Sequence, residues 1–315
     1  MGSGCSQEDC DRFARNYYQV ALEYPCLLPD IGIDESLLKY SGIDSNAVLQ
    51  TYSNELINSA PGFIDTMGSR LSSLNSVPNA VGLGALVISM VLEIVMKSTT
   101  EPTEDTYSLL RRVFGEEKRS AVRDTMSEYV RRHHTFMSNE QRLREELRRL
   151  EAQLSNHLTI LRNSLLYDGQ MTTRGFKIWI NGASFHLQML IHEAQLNIQA
   201  GRRRSDYVTA INAAISLYLQ NLDVLLEKYK NHNTYPKIHW VSVPAVIGDC
   251  VMASERCEVL YQSGPCGTSP VNEDFRKLVF SKFDSELKSH FSYIRNNLNS
   301  LINQRGSFTL PSASS

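Results

Sequence analysis

Apolar residues recur at helical spacing over most of the chain after residue 115, which predicts long amphipathic helices. The steps alternate between four and three residues, so this part of the chain follows a heptad repeat. The pattern predicts one helix from about Glu116 to Leu166, roughly 75 Å long at 1.5 Å per residue. The repeat comprises Val122, Met126, Tyr129, His133, Phe136, Glu140, Leu143, Leu147, Leu150 and Leu154.

Three further long helices follow in the C-terminal half. "YDGQ" ends the first helix, a second is expected to begin near Thr173, and the short turn between them predicts an antiparallel hairpin. Gly201 should end the second helix, and Ser205 is expected to cap a third. A stretch without clear helical spacing then precedes a last helix over about residues 272–304.

The N-terminal third contains short helical patterns and one apolar segment. Ser6 and Asp9 fit the N-cap of a helix that ends near Pro25. Residues 79–92 carry no charge, and a segment so short more often forms a buried core helix than a membrane span. We therefore expect a buried apolar helix over 77–97. The alternative is membrane insertion after a conformational change, through Val81, Leu83, Leu86, Val87, Ile88, Val91 and Leu92.

These patterns together predict an all-α fold. We expect an elongated bundle of long antiparallel helices, a short-helix N-terminal region and one buried apolar helix. The expected divisions are an acylated segment over residues 1–11, short helices and the apolar helix over 12–105, the long-helix bundle over 106–305 and a disordered tail over 306–315.

The first six residues, "MGSGCS", match the pattern for N-myristoylation. Gly2 would carry the acyl chain after removal of the initiator methionine. A single myristoyl chain binds membranes only marginally, so a second signal is needed, and palmitoylation of Cys5 or Cys10 would supply it. The alternative is that this Gly-Ser start is simply a flexible terminus.

The charge distribution and the cysteine content bear on the protein's partners and cellular compartment. Residues 1–105 hold 14 acidic and 5 basic residues, and the rest of the chain is net basic. The acidic part either folds back on the basic helices or leaves them to face an anionic surface. Because the first residues lack the apolar core of a secretory signal, we expect a cytoplasmic protein with reduced thiols. The exception to that expectation concerns Cys250, Cys257 and Cys266, which could form a disulfide if the chain met an oxidising environment.

No motif in the sequence supports catalysis. "HEAQL" has Leu196 where a zinc-protease helix needs its second histidine, so no metal site is expected, and no cofactor motif is present. Arg202, Arg203 and Arg204 lie at the joint between two helices. They either interact with the end of the preceding helix or contact anionic lipid head groups. Nucleic acid is not an expected partner.

In layout, long helices with one apolar segment, the chain resembles α-helical pore-forming proteins, although no motif of that class is matched. Our leading hypothesis is a non-enzymatic, acylated scaffold or adaptor at the cytoplasmic face of the plasma membrane or another membrane. Its partners would be membrane lipid, through the acyl chains, and a protein partner or a second copy, through heptad seams. The resemblance implies the first alternative, a membrane-inserting or pore-forming bundle. The second alternative is a soluble, oligomerising bundle.

Overall fold

The computed structural model describes residues 6–59, 84–90, 92, 108–114, 120–136, 139–243, 246–261 and 269–304. In this part of the chain the fold is mostly helical, with long antiparallel helices and one small sheet. The helices are α1 (Gln7–Glu23), α2 (Glu35–Tyr40), α3 (Ser45–Ser59), α4 (Ser108–Phe114), α5 (Ala121–Phe136), α6 (Glu140–Tyr167), α7 (Thr173–Gln199), α8 (Arg204–His232), α9 (Ser269–Asn296) and α10 (Leu298–Asn303). The strands are β1 (Lys237–Val243), β2 (Val246–Ala253) and β3 (Glu258–Tyr261).

Helix α1 begins as the sequence predicts. The Ser6 side chain accepts a hydrogen bond from the backbone N–H of Asp9, and a 3₁₀ turn over Pro25–Leu27 follows the helix. Helix α1 packs along α9, where Gln7 donates to Asp274, and its buried face includes Cys10 and Tyr17. The N-terminal region is thereby attached to the long helices.

The single helix predicted over 116–166 is wrong, because α5 and α6 are separate helices. Asn139 caps α6 by accepting a hydrogen bond from the backbone N–H of Arg142. The side chains of Thr125 and His157 meet across the pair, so the chain reverses and α6 packs antiparallel to α5. The heptad therefore describes two helices that pack on each other, and its spacing alone could not reveal the turn.

Helix α7 lies at the centre of the bundle and is buried on nearly all sides. It packs on α6, α8 and α5, and it runs antiparallel to α6 and α8. Gly182 allows the close contact with α6, because a Cβ atom there would lie 2.7 Å from Leu158 Cδ2 and 2.9 Å from Val122 Cγ1. The predicted hairpin is confirmed, with Gly169 at a φ of 70° in the turn.

The apolar segment is buried wherever the structure describes it. Leu86, Val87, Ile88 and Leu92 are fully buried in the main core, which confirms the predicted burial for these four. Val81, Leu83 and Val91 lie outside the described residues. Among the described helices, none combines the length and apolar character that crossing a bilayer requires.

A three-stranded antiparallel sheet corrects the all-α prediction. The strands are in the order β1-β2-β3, with Trp240 opposite Cys250 and Cys250 opposite Tyr261. Ile238, Cys250 and Met252 pack with α1 and α9 in a second, smaller core. Side chains in a strand alternate with a period of two residues, so helical periodicity gave no sign of the sheet.

Two predicted helix limits also differ from the structure. Helix α8 begins at Arg204 with Arg203 in the N-cap position, so Ser205 is not its cap. The last predicted helix is divided, because α9 ends at Asn296 and α10 begins at Leu298.

Candidate functional site

A cavity of about 650 Å³ opens at one end of the bundle, and we call it the basal cavity. Its walls come from the segment after the 3₁₀ turn, α4, the start of α7, the end of α8 and the β2–β3 turn. The polar side chains that line it belong to Asp30, Arg112, Thr172, Thr173, Arg174, Lys177, Tyr229, His232, Asn233, Thr234, Tyr235, Glu255 and Arg256.

The first turn of α7 forms one wall of the basal cavity. The hydroxyl of Thr172 accepts a hydrogen bond of 2.9 Å from the backbone N–H of Gly175, which fixes the start of the helix. Thr173, Arg174 and Lys177 follow on this first turn and a half. The partial positive charge of a helix N-terminus therefore adds to two cationic side chains.

A hydrogen-bonded network crosses the cavity floor. The Thr173 hydroxyl donates to Glu255 Oε2 at 2.6 Å, so the Tyr229 hydroxyl, 2.9 Å away, donates to Thr173 Oγ1. The amide of Asn233 donates to Tyr229 Oη at 2.7 Å and to Glu255 Oε1 at 2.9 Å. Each hydroxyl in this network donates one hydrogen bond and accepts one. The network therefore holds α7, α8 and the β2–β3 turn in fixed positions relative to one another.

Tyr229 remains protonated at neutral pH. Burial raises the pKa of its hydroxyl to about 12, and the charge of Glu255 acts in the same direction. The group is therefore a hydrogen-bond donor rather than a base. Within the described chain, no hydroxyl lining the basal cavity is hydrogen-bonded to a histidine, so the site lacks that nucleophile–base pair.

Charged side chains brace the walls. Arg112 forms two hydrogen bonds with the buried carboxylate of Asp34, at 2.7 and 2.9 Å. Lys177 Nζ contacts both carboxylate oxygens of Asp30. Arg256 donates to the carbonyl oxygens of Pro25 and Leu28, each at 2.7 Å. Four cationic side chains line the cavity, and the carboxylates of Asp30, Glu255 and the Arg112-bound Asp34 offset three of them, so one positive charge is in excess.

A disulfide closes the wall beside Arg256. Cys26 is bonded to Cys257 across 231 residues of sequence, and the Ser254 hydroxyl donates to the Cys26 carbonyl at 2.7 Å. Cys10 and Cys250 each take part in a disulfide as well. The expectation of reduced thiols is therefore wrong for these four cysteines, since disulfides persist in oxidising surroundings. The cytoplasmic location stays a prediction.

A second polar cluster lies inside the bundle around α7. Tyr218 and Glu151 contact the two ring nitrogens of His186 at 2.9 and 2.7 Å. Burial lowers the pKa of His192, beside Tyr129, to about 4. In the part of the chain that the structure describes, no group of three or more His, Cys, Asp or Glu side chains is placed to hold a metal ion.

His290 belongs to the same internal cluster. Its Nε2 lies 2.7 Å from the Ser184 hydroxyl of α7, and burial lowers the pKa of His290 to about 4. His192 and His290 therefore stay neutral at neutral pH. These groups hold helices together inside the core and do not line the basal cavity.

The predicted site residues that the structure describes are not brought together. Gly2 and Cys5 lie outside the described residues. Cys10 is 1% exposed and disulfide-bonded, which leaves no free thiol there for an acyl chain. The exposed side chains Arg202, Arg203 and Arg204 lie at the start of α8, at the opposite end of the bundle from the basal cavity.

Sequence reasoning missed the basal cavity because its residues come from five separate segments. Local signals existed only for single elements, such as Thr172 as a helix cap before an apolar run. Thr173, Tyr229, Asn233 and Glu255 form no spaced motif, and only the packing of α7, α8 and the sheet brings them together. Comparison with protein-family models, curated proteins and solved structures finds no match for this chain.

Proposed function

We propose that this protein is a non-enzymatic binding protein whose basal cavity takes up a small anionic ligand. The observation that carries the proposal is a 650 Å³ cavity lined by Arg112, Arg174, Lys177 and Arg256 beside the N-terminus of α7. Cavities that hold small molecules measure about 300–1,000 Å³. The excess of positive charge and the exposed first turn of a long helix favour a carboxylate or phosphate group.

A thermal-unfolding series tests this proposal. Citrate and pyrophosphate should raise the melting temperature progressively with concentration, because a ligand that binds only the folded state stabilises it. Sodium chloride at matched ionic strength and glycerol, which is uncharged, should raise it far less. If neither anion raises the melting temperature more than the salt control does, the proposal of an anion-binding cavity is contradicted.

The acylated scaffold remains a second proposal, favoured by where α1 begins. Gly2 and Cys5 directly precede this helix in sequence, so acyl chains there would attach the lipid close to the surface of α9. Labelling with an alkyne-tagged myristate, compared between the wild type and Gly2→Ala, tests it. A label that persists in the variant, or no label in either protein, would contradict it.

The position of the arginines at the start of α8 limits how the acylated protein could lie on a membrane. Gln7 contacts Asp274 near the start of α9, whereas Ser216 of α8 contacts Arg295 near its end. With α8 antiparallel to α9, the start of α1 and Arg204 lie about 50 Å apart at 1.5 Å per residue. A membrane that contacts both would have to run along the side of the bundle.

Membrane insertion remains the alternative proposal for the apolar segment. Since Leu86, Val87, Ile88 and Leu92 are fully buried, insertion would require the bundle to open first. Dye release from liposomes tests it, with charged substitutions at Val87 and Leu92 expected to abolish release. Absence of leakage at every lipid composition and protein concentration would contradict it.

A further inference from the structure

The outward face of α8 differs from the other long-helix surfaces. The inward face packs into the core through Ile211, Ile215, Tyr218, Leu222 and Leu225. The outward face follows the same seven-residue repeat and is exposed to solvent. It consists of Ala210, Ala213, Leu217, Gln220 and Val224, which we call the α8 stripe.

The α8 stripe carries no charge. No Asp, Glu, Lys or Arg occurs between residues 207 and 222, a length of about 24 Å along the helix. Leu217 is 54% exposed and Val224 is 50% exposed. The outer surface of α6, in contrast, carries Arg–Glu pairs such as Arg144 with Glu140. Small and aliphatic residues in a row allow another helix to approach closely.

Charges occur at the two ends of the stripe. Arg202, Arg203 and Arg204 precede it, and their side chains are exposed. Arg203 and Arg204 lie at the N-terminus of α8, where the helix dipole disfavours cations, so these two gain nothing from their own helix. Asp206 also lies at this end, while Glu227 and Lys228 lie at the other.

We propose that the α8 stripe is the contact between two copies of this chain, packed antiparallel about a two-fold axis. With Leu217 opposite Leu217 of the second copy, Ala210 lies opposite Val224 and Asp206 opposite Lys228. Glu227 then lies opposite residue 207 of the second copy, so Arg204 lies within one helical turn of its carboxylate. A two-fold contact must be self-complementary, and in this register each Asp206 lies opposite a Lys228, which gives two opposite-charge pairs.

The area of the proposed contact is small, and this limits the affinity of the dimer. One helix against one helix over this length buries less than the roughly 1,200 Å² of stable interfaces. We therefore expect a weak dimer whose population rises with protein concentration. The heptad seam of α8 is already packed inside its own bundle, so the dimer uses the opposite face of that helix.

Sedimentation velocity over a wide concentration range tests the surface. Leu217→Glu should abolish the dimer, while Ile160→Glu on α6, at a position that is also 54% exposed, should leave it intact. If Leu217→Glu fails to fold, Ala213→Gln replaces it, and helicity by circular dichroism checks each variant. A wild type that stays monomeric overturns the proposal, and so does equal loss of the dimer in both variants.

Charge reversal and cross-linking test the register. Asp206→Lys should weaken the dimer, and Asp206→Lys combined with Lys228→Asp should restore it. Under mild oxidation, Leu217→Cys should cross-link to itself and Val224→Cys should not, because Val224 faces Ala210. Equal cross-linking at both positions indicates a parallel contact and overturns the proposal. If none of these changes weakens the dimer or alters its cross-linking pattern, the dimer forms through another surface and the proposal is wrong.

Discussion

Lys177 Nζ lies 2.9 Å from Oδ1 and 2.8 Å from Oδ2 of Asp30, and 147 residues of sequence separate the two. The pair joins the first turns of α7 to the segment that follows the 3₁₀ turn. The Lys177 side chain is only 15% exposed, so water screens the attraction less than on an open surface. The pair thus holds two walls of the basal cavity together.

A double-mutant cycle should measure this attraction. We expect Asp30→Asn and Lys177→Gln to be coupled by about 1 kcal/mol in the free energy of unfolding, near the upper end for partly exposed pairs. Urea unfolding of the two single variants and the double variant gives the value. The exposed pair Glu273 and Lys277 on α9 is the control, and its cycle should show no measurable coupling. Equal coupling in the two cycles would contradict the bracing role.

The disulfide between Cys26 and Cys257 should stabilise the fold substantially. Replacing both with serine removes a cross-link that closes a loop of over two hundred residues, and we expect a loss of about 2–5 kcal/mol in unfolding free energy. Chemical unfolding of the variant, without reductant, measures the loss. Mass spectrometry of the alkylated wild type provides the control, since neither cysteine should react before reduction. Rapid alkylation of both in the native protein would contradict the bond.

Stability should fall in acid because His192 and His290 are buried as neutral rings. Their folded pKa values are about 4, against about 6.5 when unfolded, so the unfolded chain binds protons that the folded chain does not. The loss begins as the pH falls below 6.5 and is complete near 4, at roughly 3 kcal/mol for each ring.

Urea unfolding at several pH values between 7 and 4 checks this. His192→Gln and His290→Gln should each make stability less dependent on pH, whereas the control His232→Gln, at an exposed position, should not. If all three variants keep the pH dependence of the wild type, protonation of the buried rings is not the cause.

Gly182 should be intolerant of a side chain. In Gly182→Ala the new methyl group would press on Leu158 and Val122, and overpacking of this kind costs about 1–3 kcal/mol. The better helix propensity of alanine offsets about 1 kcal/mol of that cost, so we expect a net loss of about 1 kcal/mol. Thermal and urea unfolding measure it. Gly32→Ala, where a Cβ would meet nothing within 4 Å, is the control. A stabilised Gly182→Ala would contradict the close packing of α6 and α7.

The sequence contained the local signals for helices but not their arrangement. Ser6 as a cap, Gly169 in a turn and Gly201 after α7 were all predictable, because each acts on its own backbone. Asn139 was missed as a cap because the heptad continues through it on both sides. The strands at 237–261 pair with each other in chain order, and side chains in a strand repeat every second position, so helical spacing could not reveal them.

The basal cavity was harder to predict for the same reason. Thr173, Tyr229 and Asn233 are ordinary polar residues near helix ends, and Glu255 lies in a turn of an unpredicted sheet. Their hydrogen bonds join residues up to 82 positions apart. Only a three-dimensional arrangement gives these residues a shared role.

Isothermal titration of the basal cavity with pyrophosphate tests the central claim most directly. We expect saturable binding to the wild type, and an affinity about tenfold lower for Arg174→Gln, since a charge-assisted hydrogen bond is worth about 1.5 kcal/mol. Arg15→Gln, an exposed change on α1, should bind like the wild type. No saturable binding to the wild type, or equal affinity in both variants, would contradict an anion site in the basal cavity.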